Sequence, residues 1–303
     1  MITVVGAGKV GSAAAFDILR LKNHDVILID TNEKQAMGEA LDMMQAAPAI
    51  EFDGAIRGTS DFSAMKDSEL VIVTAGVGRR PDMTRFDLMN INAQIIRSIT
   101  REVAKYAPKT NLMIVTNPVD IMTYIAFNET GFPRSRLFGM GNILDGMRFR
   151  TYIAQELGVS REDTRALVIG EHGDSMVPLV EYASVSGIPI TNLLTPQQIE
   201  DVVHRTITSG GDVIKLKGST EYAPGTAIAV TADAILTGRN RVMSVSTCLD
   251  GEYGQSCVSI GVPAVLGRGG VEKIIELDLS EKTKMQFEKS VAAVKGALSA
   301  LKK

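Results

Sequence analysis

The sequence predicts an α/β protein: an N-terminal doubly wound parallel sheet followed by a C-terminal α+β lobe. Three observations carry this reading. Apolar strand-like runs alternate with helix-period segments as far as about residue 140. A glycine-rich turn, Gly-Ala-Gly-Lys-Val-Gly at 6–11, joins the first strand to the first helix. Beyond Gly141 the alternation gives way to mixed strands and longer helices. At 303 residues the chain is long for one core and suits two lobes, 1–141 and 142–303. No low-complexity linker parts them, so they share an interface and small molecules are expected to bind in it.

The elements follow in order. Thr3, Val4 and Val5 supply β-branched residues for a first strand, and Ser12 to Leu19 has helical spacing. VILID ends a second strand at Asp30; a helix over 33–45, a strand near 55–58, a short helical piece over 62–66 and the strand LVIVTAG, ending at Gly76, come next. The polar loop VGRRPDMTR leads to a long helix over 86–106, with Leu88, Ile91, Ile95, Ile99 and Val103 on one face, stopped by Pro108. NLMIVTNP is a strand ending at Asn117, followed by a helix to Asn128 and the strand RLFGMG. In the second lobe we expect a helix over 142–157, strands in ALVIGEHG and LVEYASVSG, helices over 195–215 and 226–236, strands RVMSVSTCLDG and CVSIGVPAVLGRGGV, and a terminal helix from Glu281.

Strand, glycine turn and helix in this order have a chemical meaning. Gly6 permits a tight turn, Gly8 lets a pyrophosphate approach the backbone, and Gly11 lets helix and strand pack closely, so phosphates can sit on the free N–H groups of the helix. Asp30 stands nineteen residues after Gly11, at the end of the second strand, where a carboxylate can accept from a ribose 2′-OH and would repel a 2′-phosphate. The other reading is a structural glycine turn with Asp30 merely ending a strand. The full succession of elements favours a Rossmann-type dinucleotide site, with NAD preferred over NADP. Ligands then belong at the carboxyl ends of the strands, after Gly76 and at Asn117.

Composition excludes several other classes. Lysine and arginine number 32 against 35 acidic residues, with no basic run, which argues against a nucleic-acid surface. No apolar run approaches the ~20 residues that span a bilayer, and the chain opens on a core strand, so neither membrane nor signal peptide is expected. Cys248 and Cys257 form no C-x-x-C and have no neighbouring histidine, so we expect no metal site and a reducing, cytoplasmic compartment.

Candidate chemistry lies in RRPDMTR (79–85), NILDGMRFR (142–150) and GEHGD (170–174). His172 follows an apolar strand between glycine-flanked positions, a place suited to an exposed imidazole that exchanges a proton near neutral pH. Asp145 and Arg148 are three apart on a helix and share a face: one can orient an imidazole while the other grips a carboxylate. Taken singly, a histidine in a turn is more often a loop residue and such a pair more often a surface ion pair. A nicotinamide site, however, needs both an acid/base and a substrate anchor. His24 and His204 read as surface residues.

In GAGKVG, ILID, VTAGVGRRPDMTR, VTNPVD, GMGNILDGMRFR and IGEHGDSMVP the chain resembles, over essentially its full length, the lactate/malate dehydrogenase family, within it the malate dehydrogenases of lactate-dehydrogenase-like type. The resemblance implies an NAD-dependent interconversion of (S)-malate and oxaloacetate. It makes His172 the proton donor and acceptor, Asp145 its partner and Arg148 the anchor for the substrate C1 carboxylate. Arg85 would polarise the carbonyl and Asn117 contact its oxygen. Arg79 takes the position where lactate-type members carry glutamine and malate-type members arginine, and would meet the second carboxylate. Gly6, Ala7, Gly8, Lys9, Val10, Gly11, Asp30, Asn92, Val115, Thr116 and Asn117 would contact NAD. The resemblance also implies a cis Asn117–Pro118 bond and a homo-oligomer, dimer or tetramer. A lactate dehydrogenase, or a catalytically silent NAD-binding protein on the same fold, are the competing readings.

Overall fold

The computed structural model describes residues 1–22, 24–78 and 83–301, with the side chains of Lys22 and Arg85 outside the description. Six parallel strands form the first half of the main sheet: β1 (Ile2–Val5), β2 (Val26–Ile29), β3 (Ile56–Thr59), β4 (Leu70–Val73), β5 (Asn111–Ile114) and β6 (Leu137–Gly139), in the order β3-β2-β1-β4-β5-β6. This is the doubly wound order, with its switch point between β1 and β4. Strands β1, β2, β4 and β5 are buried throughout because helices cover both faces. Alternate side chains divide between the two layers. Ile2, Val4 and Leu28 join Ile18 and Leu19 on one face, while Val5, Ile27, Ile29 and Val73 join Ile96 and Val103 on the other.

The helices of this half are α1 (Lys9–Lys22), α2 (Glu33–Ile50), α3 (Arg85–Tyr106) and α4 (Val119–Thr130). α3 starts on a capping box between Thr84 and Asp87. α2 runs five residues beyond the expected end, with Pro48 in its last turn, before Glu51 takes the left-handed conformation. The strand expected to reach Gly76 stops at Val73, because the N–H groups of both Thr74 and Ala75 turn onto the single carbonyl of Val5. The residues so released form the loops that meet at the site.

After α5 (Asn142–Leu157), β7 (Thr164–Arg165) and β8 (Val168–Ile169) come β9 (Val177–Pro178), β10 (Ser184–Val185) and β11 (Ile188–Pro189), which complete two small antiparallel sheets, β8-β9 and β11-β10-β7. The strand expected in LVEYASVSG is mostly a turn of 3₁₀ helix, Val180–Tyr182, with β10 behind it. Then come α6 (Pro196–Lys217), α7 (Tyr222–Thr237), β12 (Arg241–Asp250), β13 (Ser256–Gly267), β14 (Gly270–Ile274) and α8 (Glu281–Leu301). The last expected strand is thus two, folded back at Arg268 and Gly269.

The second half does not build its main sheet apart. β12 pairs with β6 at Ser246 and Gly139, so β12, β13 and β14 extend the parallel sheet to nine strands. A side chain at Gly139 would come within 2.3 Å of Thr123 Oγ1 and 3.0 Å of Ser246 Cβ, so only glycine lets the strands meet over α4.

Candidate active site

The loop that carries His172 begins where β8 ends. Gly170 has φ +84°, a conformation that favours glycine, and exchanges two backbone hydrogen bonds with Gly261 of β13. The next two N–H groups are taken by side chains from distant elements. Glu171 N–H donates to Ser290 Oγ of α8 at 2.7 Å, and His172 N–H donates to Asp120 Oδ2 of α4 at 2.8 Å. The loop carrying His172 is therefore fixed from both sides before its imidazole makes any contact.

That imidazole lies 2.6 Å, Nδ1 to Oδ2, from Asp145, whose carboxylate is 0 % exposed. The other Asp145 oxygen accepts from Arg148 Nη1 at 3.1 Å. The three-residue spacing on α5 thus places the carboxylate between a histidine and an arginine. With Nδ1–H donated to Asp145, Nε2 is left for a substrate. Burial pulls the His172 pKa down, but the charge and hydrogen bond of Asp145 outweigh it and hold the ring above its ordinary value; Arg148 opposes this and Asp120 adds to it. His172 and Arg148 line a cavity of about 330 Å³, together with Asn117, Thr116, Gly76 and Val10.

Sequence reading missed Asp120 and Ser246. Asp120 is 2 % exposed, its second oxygen accepts from Ser246 Oγ at 2.6 Å, and burial pushes its pKa up to about 6 against the pull of these hydrogen bonds. The available signal was a carboxylate inside the apolar run PVDIMTYIAF, a position that demands partners.

The loops after β4 and β5 are tied together by Asn92. Its Oδ1 accepts from Val77 N–H at 2.8 Å, and its Nδ2 donates to the carbonyls of Val77 at 3.2 Å and Asn117 at 2.8 Å. Thr116 Oγ1 donates to Ala75 O at 2.7 Å, and Val115 N–H continues the ladder to Val73. The Asn117–Pro118 bond is cis, as expected. Arg79, with Arg80, lies outside the described residues, as does the side chain of Arg85 at the start of α3.

Across the cavity is the glycine loop. A Cβ on Gly6, at φ +112°, would sit 2.7 Å from Ala75 N, and one on Gly11 would sit 1.8 Å from Gly6 O, so neither position accepts a side chain. A Cβ on Gly8 would meet nothing within 4 Å: the space above the loop is open. The first bond of α1 runs from Ser12 N–H to Gly8 O, so Lys9, Val10 and Gly11 present N–H groups that helix geometry leaves for a ligand. Asp30 accepts from Ala7 N–H at 2.7 Å and from Asn32 N–H at 2.9 Å, bridging loop and β2 while keeping lone pairs for a ribose. A cavity of about 460 Å³ beside Gly6, Gly8, Asp30 and Ile99 continues the first. These donors, acceptors and spaces fit a dinucleotide. Of the two remaining histidines, His204 is exposed on α6 and His24 is half-buried before β2.

Comparison with known proteins agrees. Residues 1–139 match the lactate/malate dehydrogenase NAD binding domain, and residues 143–303 match the lactate/malate dehydrogenase alpha/beta C-terminal domain. The chain belongs to the lactate/malate dehydrogenase family. It is an NAD-dependent oxidoreductase of that family. It is 43 % identical over 304 residues to the malate dehydrogenase of Shouchella clausii, covering 99 % of this chain and 97 % of that protein. The crystal structure of malate dehydrogenase from Salinibacter ruber is similar at a TM-score of 0.94 and 40 % identity, over 99 % of this chain and 97 % of that one. A lactate dehydrogenase from Cryptosporidium parvum, solved with lactic acid and the nicotinamide dinucleotide, matches at a TM-score of 0.95 and 34 % identity, over 99 % and 97 %. Fold similarity therefore extends across both branches.

Proposed function

We propose that the protein is an NAD-dependent malate dehydrogenase that interconverts (S)-malate and oxaloacetate. The observation that carries this is the buried Asp145 carboxylate held between His172 and Arg148 on the wall of a cavity that also reaches the glycine loop. The N–H groups after Gly8 and the carboxylate of Asp30 would hold the dinucleotide, which when bound would supply the hydride for reduction of the carbonyl carbon and accept it in the reverse direction. Arg148 binds the C1 carboxylate, and protonated His172 gives its Nε2 proton to the carbonyl oxygen, completing the hydroxyl. Asp145 keeps the ring oriented and stabilises its charged form. Arg85 and Asn117 meet the developing charge on the oxygen.

Arg79 selects the substrate. A guanidinium pairs with the second carboxylate of oxaloacetate, whereas pyruvate offers a methyl group and leaves the charge unpaired. A broken close charge pair costs ~2–5 kcal/mol, so the preference should be on the order of 100-fold. The test compares kcat/KM for oxaloacetate and pyruvate with NADH, in the unmodified protein and in Arg79→Gln. Oxaloacetate should lead strongly in the first and lose much of its lead in the second. A preference for pyruvate in the unmodified protein would make it a lactate dehydrogenase, and no turnover of either would leave it a silent binder.

On this reading residues 1–141 hold the dinucleotide and 142–303 complete the substrate site, in a cytoplasmic enzyme of the tricarboxylic acid cycle. Cys248 and Cys257 are free thiols, and among the described residues no helix is long and apolar enough to cross a membrane. Met37, Leu41 and Met44 are exposed at i, i+4 and i+7 on α2, which supports a homo-oligomer with this face against a second copy. A monomeric mass by light scattering would overturn that.

A further inference from the structure

Lys9 is exposed at the first position of α1, next to the open space over Gly8. Its ammonium donates to Ser219 Oγ at 3.0 Å, joining residues 210 apart in sequence. The Ser219 hydroxyl donates onward to Glu221 Oε2 at 3.1 Å, and the other Glu221 oxygen is ion-paired with Lys217. Lys217 ends α6 and Glu221 precedes α7, so Ser219 and Glu221 belong to the turn between these helices.

This turn edges the site. Val10, beside Lys9, and Thr220, between Ser219 and Glu221, line the same cavity as His172, and Gly210, Ile214 and Pro224 continue the wall that Thr220 begins. The Lys9–Ser219 bond therefore joins the two walls of the cleft next to the loop that would carry the pyrophosphate. The α7 side of the turn is anchored. A Cβ on Gly225 would lie 2.9 Å from that of Ala13, and Thr226 Oγ1 donates to Asp17 Oδ2 of α1 at 2.6 Å. The α6 side ends in exposed residues, Ile214 and Leu216 among them. Glu221 fixes the polarity of the arrangement. The hydrogen bond from Lys217, with that from Ser219 and the charges of Lys217 and Lys9, holds its carboxyl below the usual range against the opposing effect of burial. It stays ionised at neutral pH and keeps the Ser219 hydroxyl turned to receive Lys9.

We propose that Lys9, Ser219 and Glu221 form a latch across the mouth of the dinucleotide cleft, and that this latch governs how fast the dinucleotide leaves. The inference rests on the dinucleotide reading and deepens it. Ser219 and Glu221 act as positioning residues: they hold the 217–221 turn against the glycine loop, and the turn must part from Lys9 before the cleft opens. Release of the dinucleotide is a step at which such motions commonly limit turnover.

The experiment is displacement of NADH by excess NAD in a stopped-flow instrument, followed by the fluorescence of NADH itself. Exposed charged contacts are worth little, so Ser219→Ala should raise the NADH dissociation rate about two- to fivefold. Glu221→Gln should raise it in the same direction. Lys9→Met should raise it at least as much, because it also removes a positive charge near the phosphates, and the Lys9→Met/Ser219→Ala double variant should release NADH no faster than Lys9→Met alone. The KM for oxaloacetate should not follow, as it would if the change merely loosened the fold. An unchanged rate in Ser219→Ala, or effects that multiply in the double variant, would overturn the latch. Failure of the unmodified protein to bind NADH would instead overturn the cofactor reading beneath it.

Discussion

The two walls of the site are made of different material. On the His172 side the working parts are side chains held by other side chains: Asp145 on the ring, Asp120 and Ser290 on the loop backbone, Ser246 behind Asp120. On the glycine-loop side the working parts are main-chain N–H groups and the absence of side chains at Gly6, Gly8 and Gly11. An acid/base must hold one atom in one place with a tuned proton affinity, which a buried network provides. A pyrophosphate needs several donors and room, which a helix N-terminus and glycine provide. The difference teaches where each wall is vulnerable: one fails when a functional group is removed, the other when an atom is added.

The largest expected effect removes a functional group. His172→Asn should lose about 100- to 10,000-fold in kcat for oxaloacetate reduction, while the NADH dissociation constant, measured by fluorescence titration, stays close to that of the unmodified protein. Near-normal kcat would end the assignment of His172, and a parallel loss of NADH binding would show that the walls are not separable in this way.

Adding one atom to the other wall should separate two glycines that look alike in sequence. The methyl of Gly11→Ala would fall 1.8 Å from Gly6 O, so α1 must move, and overpacking of this kind typically costs ~1–3 kcal/mol. The Gly8→Ala methyl meets no protein atom within 4 Å, so the melting temperature should hardly change. That methyl stands where a phosphate would approach, and NADH affinity should fall by roughly tenfold or more, the equivalent of about 1.4 kcal/mol. If Gly8→Ala binds NADH as the unmodified protein does, the open space is not the phosphate site.

How much of this was legible beforehand follows from the range of each interaction. The glycine turn, Asp30 and the Asp145/Arg148 pair are local patterns, and α5 has the bounds its spacing predicts, Asn142–Leu157. The second layer was not legible, because the bonds of Asp120 to His172 and Ser246 and of Ser290 to Glu171 span 52, 126 and 119 residues. The same holds for the junction of β6 and β12, a single residue pair that merges two expected sheets into one. Strand ends misled for a related reason. LVIVTAG is apolar to its end, and nothing in it announces that Thr74 and Ala75 share one acceptor.

The smallest effects test whether the buried network tunes His172 in proportion to distance. On the proposed mechanism oxaloacetate reduction needs the protonated ring, so its rate should be full below the pKa of His172 and fall as pH rises through it; malate oxidation should show the reverse. Asp145 supplies both the strongest charge and the hydrogen bond that raise this pKa. In Asp145→Asn, burial and Arg148 are left to pull it down, and the fall in oxaloacetate reduction should move to lower pH. Asp120 faces the His172 main chain, Ser246 and the charge of Glu171, and adds only a weaker field at the ring. An asparagine there can still accept from His172 N–H through its oxygen and donate to Ser246 through its nitrogen, so Asp120→Asn should move the profile in the same direction but by less than Asp145→Asn does. The stability readout has its own sign. Asp120 binds its proton more tightly in the folded state, its pKa rising from 3.8 to about 6, so its contribution is complete at low pH and lost as pH rises through about 6. Asp120→Asn should flatten the pH dependence of unfolding free energy across that window, in urea titrations at successive pH values. A shift in the rate profile as large as that of Asp145→Asn would mean that Asp120 acts on the ring itself, as Asp145 does, and is more than a loop anchor.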